Sequence, residues 1–463
     1  MNTLLQRALA AADETRALHI GANAISQIPE LFREQFGNRP AMIVADPRTY
    51  QAAGHAVLES LRADDFPFID PFHFQDEKFY AEHSFVEALA NALASTNAIP
   101  VAVGSGSIND VTKLAAHRCH RPYMAVATAA SMDGYTASGA SITFRGSKQT
   151  FNCPAPQAVV ADLGVIAAAP PELNAAGYAD LMAKITAGAD WILADALGVE
   201  AIDPTAWSFA QASLKDLLEN PDGIRSGVPA ILEKLVGGLM MGGVAMQWMK
   251  SSRCASGAEH QFSHLWDMQH HTHLGVAPSH GFKVGIATLA ITRLYEHFLE
   301  YPSMWNAEAV LAAWPPWPQC EARLRTMFDI PEILEKALEE TRAKYLSVEE
   351  LRSWFSRLEA CWPDLQQRLR HQLVPSSLLR NALRTVGAPV DSTAIGISSE
   401  RLNRSHHQAA YIRRRFTILD FALQTNTLDA ALQTCRPRGS ARGGRESASS
   451  RSWCDSAKGE DHS

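Results

Sequence analysis

The chain has 463 residues, which at roughly 150 residues per domain fits two or three domains. Hydrophobic residues at 46% and charged residues at 20% exclude wholesale disorder. The net charge of −7, with no basic cluster standing out in the first 400 residues, argues against a nucleic-acid-binding surface.

The opening segment, MNTLLQRALAAADETRALHIG, has no basic stretch leading into an apolar core. No secretory signal is read there, and a cytoplasmic location is expected. Residues 41–45 form a buried strand by composition, ending in Asp46, with helical periodicity following over 50–61. A weaker strand candidate at 66–74 is interrupted by Pro67 and Pro71. Helical spacing returns at 85–94, a strand at 99–103 closes with Gly104, and a helix over 107–117 leads to a strand at 123–127. Residues 141–151, broken at Arg145-Gly146-Ser147-Lys148, predict a β-hairpin, and 158–162 one more strand. Strands alternating with helices predict a parallel sheet.

From about residue 170 the strand signals stop and helical patterns take over. The apolar run 235–249 has fifteen residues and four glycines. It falls short of the roughly 18 needed for a membrane span, so a buried core helix is expected. Pro315, Pro316 and Pro318 predict a loop, and Ser347 with Glu350 a capping box. The predicted organisation is an α/β domain over 1–165, an all-helical domain over 166–435 and a disordered Arg/Gly/Ser-rich tail over 436–463. The seven cysteines form no CxxC pair and are read as free thiols.

Four constellations carry chemistry. Val103-Gly104-Ser105-Gly106-Ser107-Ile108-Asn109-Asp110 is a glycine-containing strand-to-helix turn, suited to a phosphate at a helix N-terminus. Asp46 at a strand end can accept from ribose hydroxyls, or serve only as a turn residue before Pro47. His260 and His264 share a helix face at i, i+4, and His280 follows a turn, a spacing that suits a metal. His270, His271 and His273 are expected to be solvated. Asp180, placed early in a helix, either complements the helix dipole or completes an Asp-His-His set. The segment Thr128-Ala129-Ala130-Ser131-Met132-Asp133 follows a strand and can line a ligand crevice, or be merely a loop.

Taken in order behind VGSGSINDVTK, the segments TAASMDGYT, GYADLMAK, SGAEHQFSH and SHG make the chain resemble the sn-glycerol-1-phosphate dehydrogenase family. That family is grouped with iron-dependent alcohol dehydrogenases, glycerol dehydrogenases and dehydroquinate synthases. The resemblance spans roughly residues 15 to 430, including IRRRFTILD near the end. It implies an NAD(P)-binding α/β domain with a parallel sheet, an all-α domain, and one catalytic divalent metal (zinc, nickel or iron) between them. By position it implies Asp180, His260 and His280 as metal ligands, His264 as a substrate-side histidine and Asp133 as a substrate contact. It matches Gly104 and Gly106 to Asp110 (Ser107, Ile108 and Asn109 between them) to the pyrophosphate turn, and Thr128, Ala129, Ala130 and Ser131 to a nucleotide-contacting stretch.

The implied reaction is NAD- or NADP-linked reduction of dihydroxyacetone phosphate to sn-glycerol 1-phosphate, and its reverse. The implied partners are a small phosphorylated substrate and further copies of the chain, as in a dimer, with no nucleic acid and no membrane span. Glycerol or another polyol is the alternative substrate. Dehydroquinate synthases carry a glutamate where this chain has Asp180 and a GGK motif that is not found here. A non-catalytic NAD- or metal-binding regulator would not need all three ligands. Lys148, Lys184 and Lys283 are the candidates for a substrate phosphate pocket.

Overall fold

The computed structural model describes residues 3–76, 79–301 and 305–434. The tail predicted over 436–463 lies outside them. The strands are β1 (Ala17–Gly21), β2 (Ala41–Ala45), β3 (Phe72–His73), β4 (Ile99–Gly104), β5 (Met124–Ala127), β6 (Ala140–Phe144), β7 (Ser147–Phe151) and β8 (Ala158–Asp162). Six of them form one sheet in the order β1-β8-β5-β4-β2-β3, every pairing parallel. Alternate residues supply two faces. Ile43, Val101, Val103, Val126 and Val160 join a core with Ile28, Phe32 and Val57 from the helices on one side. Met42, Val44, Ala102, Ala125 and Val159 face the other way, into a core that continues through the helical half.

The elements ahead of β2 escape the sequence reading, and β3 is shorter than expected. The helix Thr3–Ala11, strand β1 and the helical segments Ala24–Gln27 and Ile28–Phe36 were not predicted. β1 is Ala-Leu-His-Ile-Gly, too short and mixed to signal on its own, and its register with β8 makes it a strand. β3 shrinks to two residues because Pro67 and Pro71 flank it and have no N–H to give a ladder. The hairpin β6–β7 turns on Arg145 and Gly146, both with positive φ, as a two-residue hairpin turn needs.

Beyond β8 the described residues are helical, apart from turns and one isolated bridge between His273 and Val276. Six helices position the site: α1 (Gly106–Arg118), α2 (Pro171–Met182), α3 (Lys184–Ala196), α4 (Pro229–Met249), α5 (Ala258–Met268) and α6 (His280–Glu300). α4 extends the predicted apolar run to 21 residues, long and apolar enough to cross a membrane, yet 67% of its most apolar window is buried in the protein. Its glycines explain why. A Cβ at Gly238 would come 2.9 Å from Leu181, one at Gly242 2.7 Å from Lys184 Cε, and one at Gly243 2.1 Å from Thr136 Oγ1. The run is a close-packed core helix. The predicted capping box holds: Ser347 N–H donates to Glu350, and Glu350 N–H to Ser347 Oγ at 3.2 Å. Pro318 does not belong to a loop as predicted. It lies in the first turn of the helix Trp317–Met327, where proline needs no N–H partner.

Candidate active site

The sheet order reverses beside β2: β3 lies on one side of it and β4 on the other. The carboxyl ends of β2 and β4 therefore flank a topological switch point, where open α/β sheets leave a crevice. Asp46 follows β2, and Gly104 ends β4. Asp46 Oδ1 accepts from Thr49 N–H at 2.8 Å, so one oxygen already caps a helix. α1 opens at Gly106, and its N-cap, Ser105, makes no side-chain cap bond. Its first-turn amides are the open donors of a helix N-terminus. A Cβ on Gly104 would sit 2.5 Å from Ile108 Cβ, so only glycine allows so sharp an entry. Asn109 and Asp110 turn inward instead. Tyr123 O–H donates to Asn109 Oδ1 at 3.0 Å, and Ser141 N–H to Asp110 Oδ2 at 3.1 Å, tying the hairpin to α1.

The stretch 128–131 is pinned rather than loose. Thr128 N–H donates to the Gly104 carbonyl at 3.2 Å, and Tyr135 O–H to the Ala129 carbonyl at 2.9 Å. Ala130 N–H donates to Asn174 Oδ1 at 3.0 Å, which reaches from α2. Two glycines bring the helices in. A Cβ on Gly177 would stand 1.8 Å from the Ala130 carbonyl oxygen, and one on Gly281 1.9 Å from that of Ala176.

Asp180, His260 and His280 meet where α2, α5 and α6 converge, with one ligand atom from each within 4.8 Å of the others. Asp180 is not early in its helix, as the sequence suggested. It is two residues from the C-terminal end of α2, where the helix dipole disfavours an anion. Its stabilisation comes from the groups facing it. His260 Nε2 lies 3.4 Å and His280 Nε2 3.7 Å from Asp180 Oδ1, and this buried oxygen has no hydrogen-bond partner among the described residues. Burial alone would raise the Asp180 pKa, but His260, His280 and Lys184 together hold it well below the usual carboxylate range.

Each imidazole is aimed by its other nitrogen. His260 Nδ1 lies 2.8 Å from Glu259 Oε1, and His280 Nδ1 3.3 Å from Ser263 Oγ. Glu259 is itself fixed by Thr186 O–H at 2.7 Å and Gly257 N–H at 2.6 Å. Burial would lower His260, but Asp180 and Glu259 outweigh it and push it up to about 9. Behind Glu259, Asp190 is pushed up to about 7 by burial and by the Glu259 charge. Carboxylates that orient a ligating imidazole are a recurring support for metal sites. The sequence reading missed this role of Glu259, whose only signal was its place beside His260. His264 stands one turn further along α5, its ring centroid 6.4 Å from that of His260 and 6.3 Å from that of His280. Burial, reinforced by Arg413, His280 and His260, keeps it neutral.

Asp133 joins the cluster through two bonds. Its N–H donates to Asp180 Oδ2 at 3.2 Å, and its Oδ2 accepts from Lys184 Nζ at 2.7 Å. Lys184 is fully buried in this pair, which takes it out of the phosphate-pocket candidates. His271 also departs from expectation. It is 8% exposed, not solvated, with Nε2 2.6 Å from the Ile395 carbonyl and Nδ1 2.7 Å from Arg401. The chain folds back over it at 392–395, which no local pattern announces. Replacing Gly281 by Ala should push α6 off α2 and cost about 3 kcal/mol. Urea unfolding, with metal affinity measured in parallel, checks this; unchanged values in both would contradict the packing described.

The sheet, the helical half and the Asp-His-His cluster together mark a class of metal-dependent dinucleotide oxidoreductases. Residues 19–170 match the family model described as iron-containing alcohol dehydrogenase. A glycerol dehydrogenase from Schizosaccharomyces pombe has the same fold, with a TM-score of 0.58 at 16% identity over 91% of this chain and 90% of that one. The glycerol-1-phosphate dehydrogenase [NAD(P)+] of Halalkalibacterium halodurans is 33% identical over 312 residues, covering 64% of this chain and 77% of the relative. That of Geobacillus stearothermophilus is 30% identical over 406 residues, 87% of this chain and 91% of the relative. The chain belongs to the glycerol-1-phosphate dehydrogenase family.

Proposed function

We propose that the protein reduces dihydroxyacetone phosphate to sn-glycerol 1-phosphate with NADH or NADPH, and catalyses the reverse oxidation, at a metal held by Asp180, His260 and His280. The observation that carries this reading is the buried, unpartnered Asp180 Oδ1 facing two Nε2 atoms whose rings are oriented from behind. One carboxylate and two imidazoles suit zinc, nickel or ferrous iron, and three ligands leave positions for substrate oxygens. Bound there, a divalent ion would polarise the carbonyl and stabilise the alkoxide charge that develops on reduction. The dinucleotide supplies or accepts the hydride.

The chain's own groups do the rest. The open amides of α1, with Gly104 and Gly106, receive the pyrophosphate, and 128–131 forms the wall beside it. Residues 1–165 act as the nucleotide-binding half and 166–435 as the catalytic half. Asp133, its Oδ2 fixed by Lys184, holds the substrate hydroxyl side. His264, kept neutral, has one donor and one acceptor nitrogen. It can give one proton to the reacting oxygen while taking another from the solvent side.

The test is NADH and NADPH oxidation with dihydroxyacetone phosphate, with dihydroxyacetone, and without substrate. Turnover with the phosphate ester well above the other two is expected; equal or greater rates with dihydroxyacetone would overturn the assignment. Asp46 is read as the residue that disfavours the extra phosphate of NADPH. Asp46→Asn keeps a cap acceptor and removes the charge. It should raise kcat/KM for NADPH relative to NADH by roughly tenfold, about 1.4 kcal/mol, with an unchanged Tm. An unmoved ratio would show that Asp46 does not select the cofactor.

A further inference from the structure

Three cations stand around one side of the histidine cluster without enough acids to neutralise them. Lys148 lies on β7, opposite Thr143, and the hairpin packs across onto α5. Its Nζ is 3.9 Å from Asp267 Oδ2, while Lys283 Nζ donates to Asp267 Oδ1. The two lysines therefore share one carboxylate. Arg413 follows the short helix Ala409–Ile412, which also packs on α5. Among the described residues its guanidinium has no ion pair or hydrogen bond. The carboxylate whose charge reaches it, Glu340, already holds Arg414 at 2.8 Å and Lys336 at 2.6 Å.

The placement follows the helices. Asp267 is three residues beyond His264 on α5, and Lys283 three beyond His280 on α6, so each stands about one turn, roughly 5.4 Å, from a histidine of the site. Both β7, which carries Lys148, and the short helix ahead of Arg413 pack on α5, the helix of His264. Lys148 is 40% exposed, leaving donors free toward the opening, whereas Lys283 is almost fully buried and fixed.

Resting on the activity proposed above, we propose that Lys148, Lys283 and Arg413 form the subsite for the substrate's phosphate monoester, with the β6–β7 hairpin supplying its outer wall. A phosphate monoester carries close to two negative charges near neutral pH, which matches two lysines sharing one carboxylate together with an arginine that has no ion pair of its own. In a triose phosphate one methylene and one ester oxygen separate the carbonyl carbon from phosphorus, a span comparable to one helical turn. The carbonyl can then face Asp180, His260 and His280 while the phosphate meets the cations a turn away. Lys283, held by Asp267, is the fixed charge, and Lys148 and Arg413 close on the ester from the two segments packed on α5. Charge-assisted hydrogen bonds from lysine and arginine are the strong contacts available to such a group.

The test uses the metal-loaded enzyme and the single variants Lys148→Gln and Arg413→Gln. Two readouts are taken: the ratio of kcat/KM for dihydroxyacetone phosphate to that for dihydroxyacetone, and the affinity for inorganic phosphate by titration calorimetry. Each variant should lower the ratio at least tenfold and weaken phosphate binding by a similar factor. Lys148 is on the hairpin surface, so its variant decides the matter if Arg413→Gln does not fold. Variants that keep both the ratio and the phosphate affinity overturn the subsite, even where the wild type prefers the phosphate ester. A wild type that reduces neither ketone overturns the activity instead. In that case the loss of phosphate binding in Lys148→Gln still supports the subsite, and unchanged binding rejects it.

Discussion

Replacing Asp180 by Ala should strip the metal from the purified protein and lower kcat/KM with dihydroxyacetone phosphate by at least about a thousandfold. The scale follows from the several kcal/mol of charge stabilisation that a Lewis acid gives an alkoxide, at about 1.4 kcal/mol per tenfold. Asp180 is the only carboxylate in the proposed ligand set, and both Nε2 atoms are directed at its Oδ1. His260→Ala should have the same effect with an added cost, because Glu259 would lose the ring it holds at 2.8 Å and remain as a buried carboxylate. His264→Ala should separate the two functions, keeping the metal and losing turnover, since its ring centroid stands more than 6 Å from those of His260 and His280. Elemental analysis with steady-state kinetics checks all three. Full metal content in Asp180→Ala would reject the ligand assignment.

Lys184→Met should destabilise the protein by about 3–5 kcal/mol, the usual cost of breaking a buried ion pair from one side. Lys184 is fully buried, and its ammonium is 2.7 Å from Asp133 Oδ2. Burial by itself would lower the Lys184 pKa, but the charges of Asp133 and Asp180 outweigh it and raise it. Methionine keeps the packing against Gly242 and removes the charge, leaving Asp133 and Asp180 facing each other without a cation between them. Asp133 would then bind a proton, loosening the loop whose N–H holds Asp180 Oδ2. Urea unfolding should show the midpoint fall, and metal affinity should fall with it. A variant with wild-type stability would mean that the pair contributes little to holding the site.

The parallel sheet was legible because its central strands are continuous apolar runs, such as Ile99–Gly104, closed by turn residues. The glycine turn at 104–108 was legible because glycine and small polar residues have few other uses between a strand and a helix. β1 was not legible, since Ala-Leu-His-Ile-Gly becomes a strand only through its register with β8. The three converging side chains could be picked out by histidine spacing together with the family motifs. The position of Asp180 could not, because where α2 begins depends on Pro171 and on packing through Gly177 and Gly281 rather than on the residues next to the aspartate. Partnerships across long separations were equally hidden: Lys184 with Asp133, His271 with Ile395 and Arg401, Lys148 with Asp267. Each joins segments whose neighbourhood only the tertiary fold creates.

The most direct test is a metal titration of the stripped enzyme, with dihydroxyacetone phosphate reduction and the enantiomer of the product followed together. Turnover should be absent without metal, activity should rise in proportion to occupancy and saturate at one ion per chain, the product should be sn-glycerol 1-phosphate, and Asp180→Ala should show no recovery. Full activity in the stripped enzyme, or the opposite enantiomer as product, would contradict the proposed function.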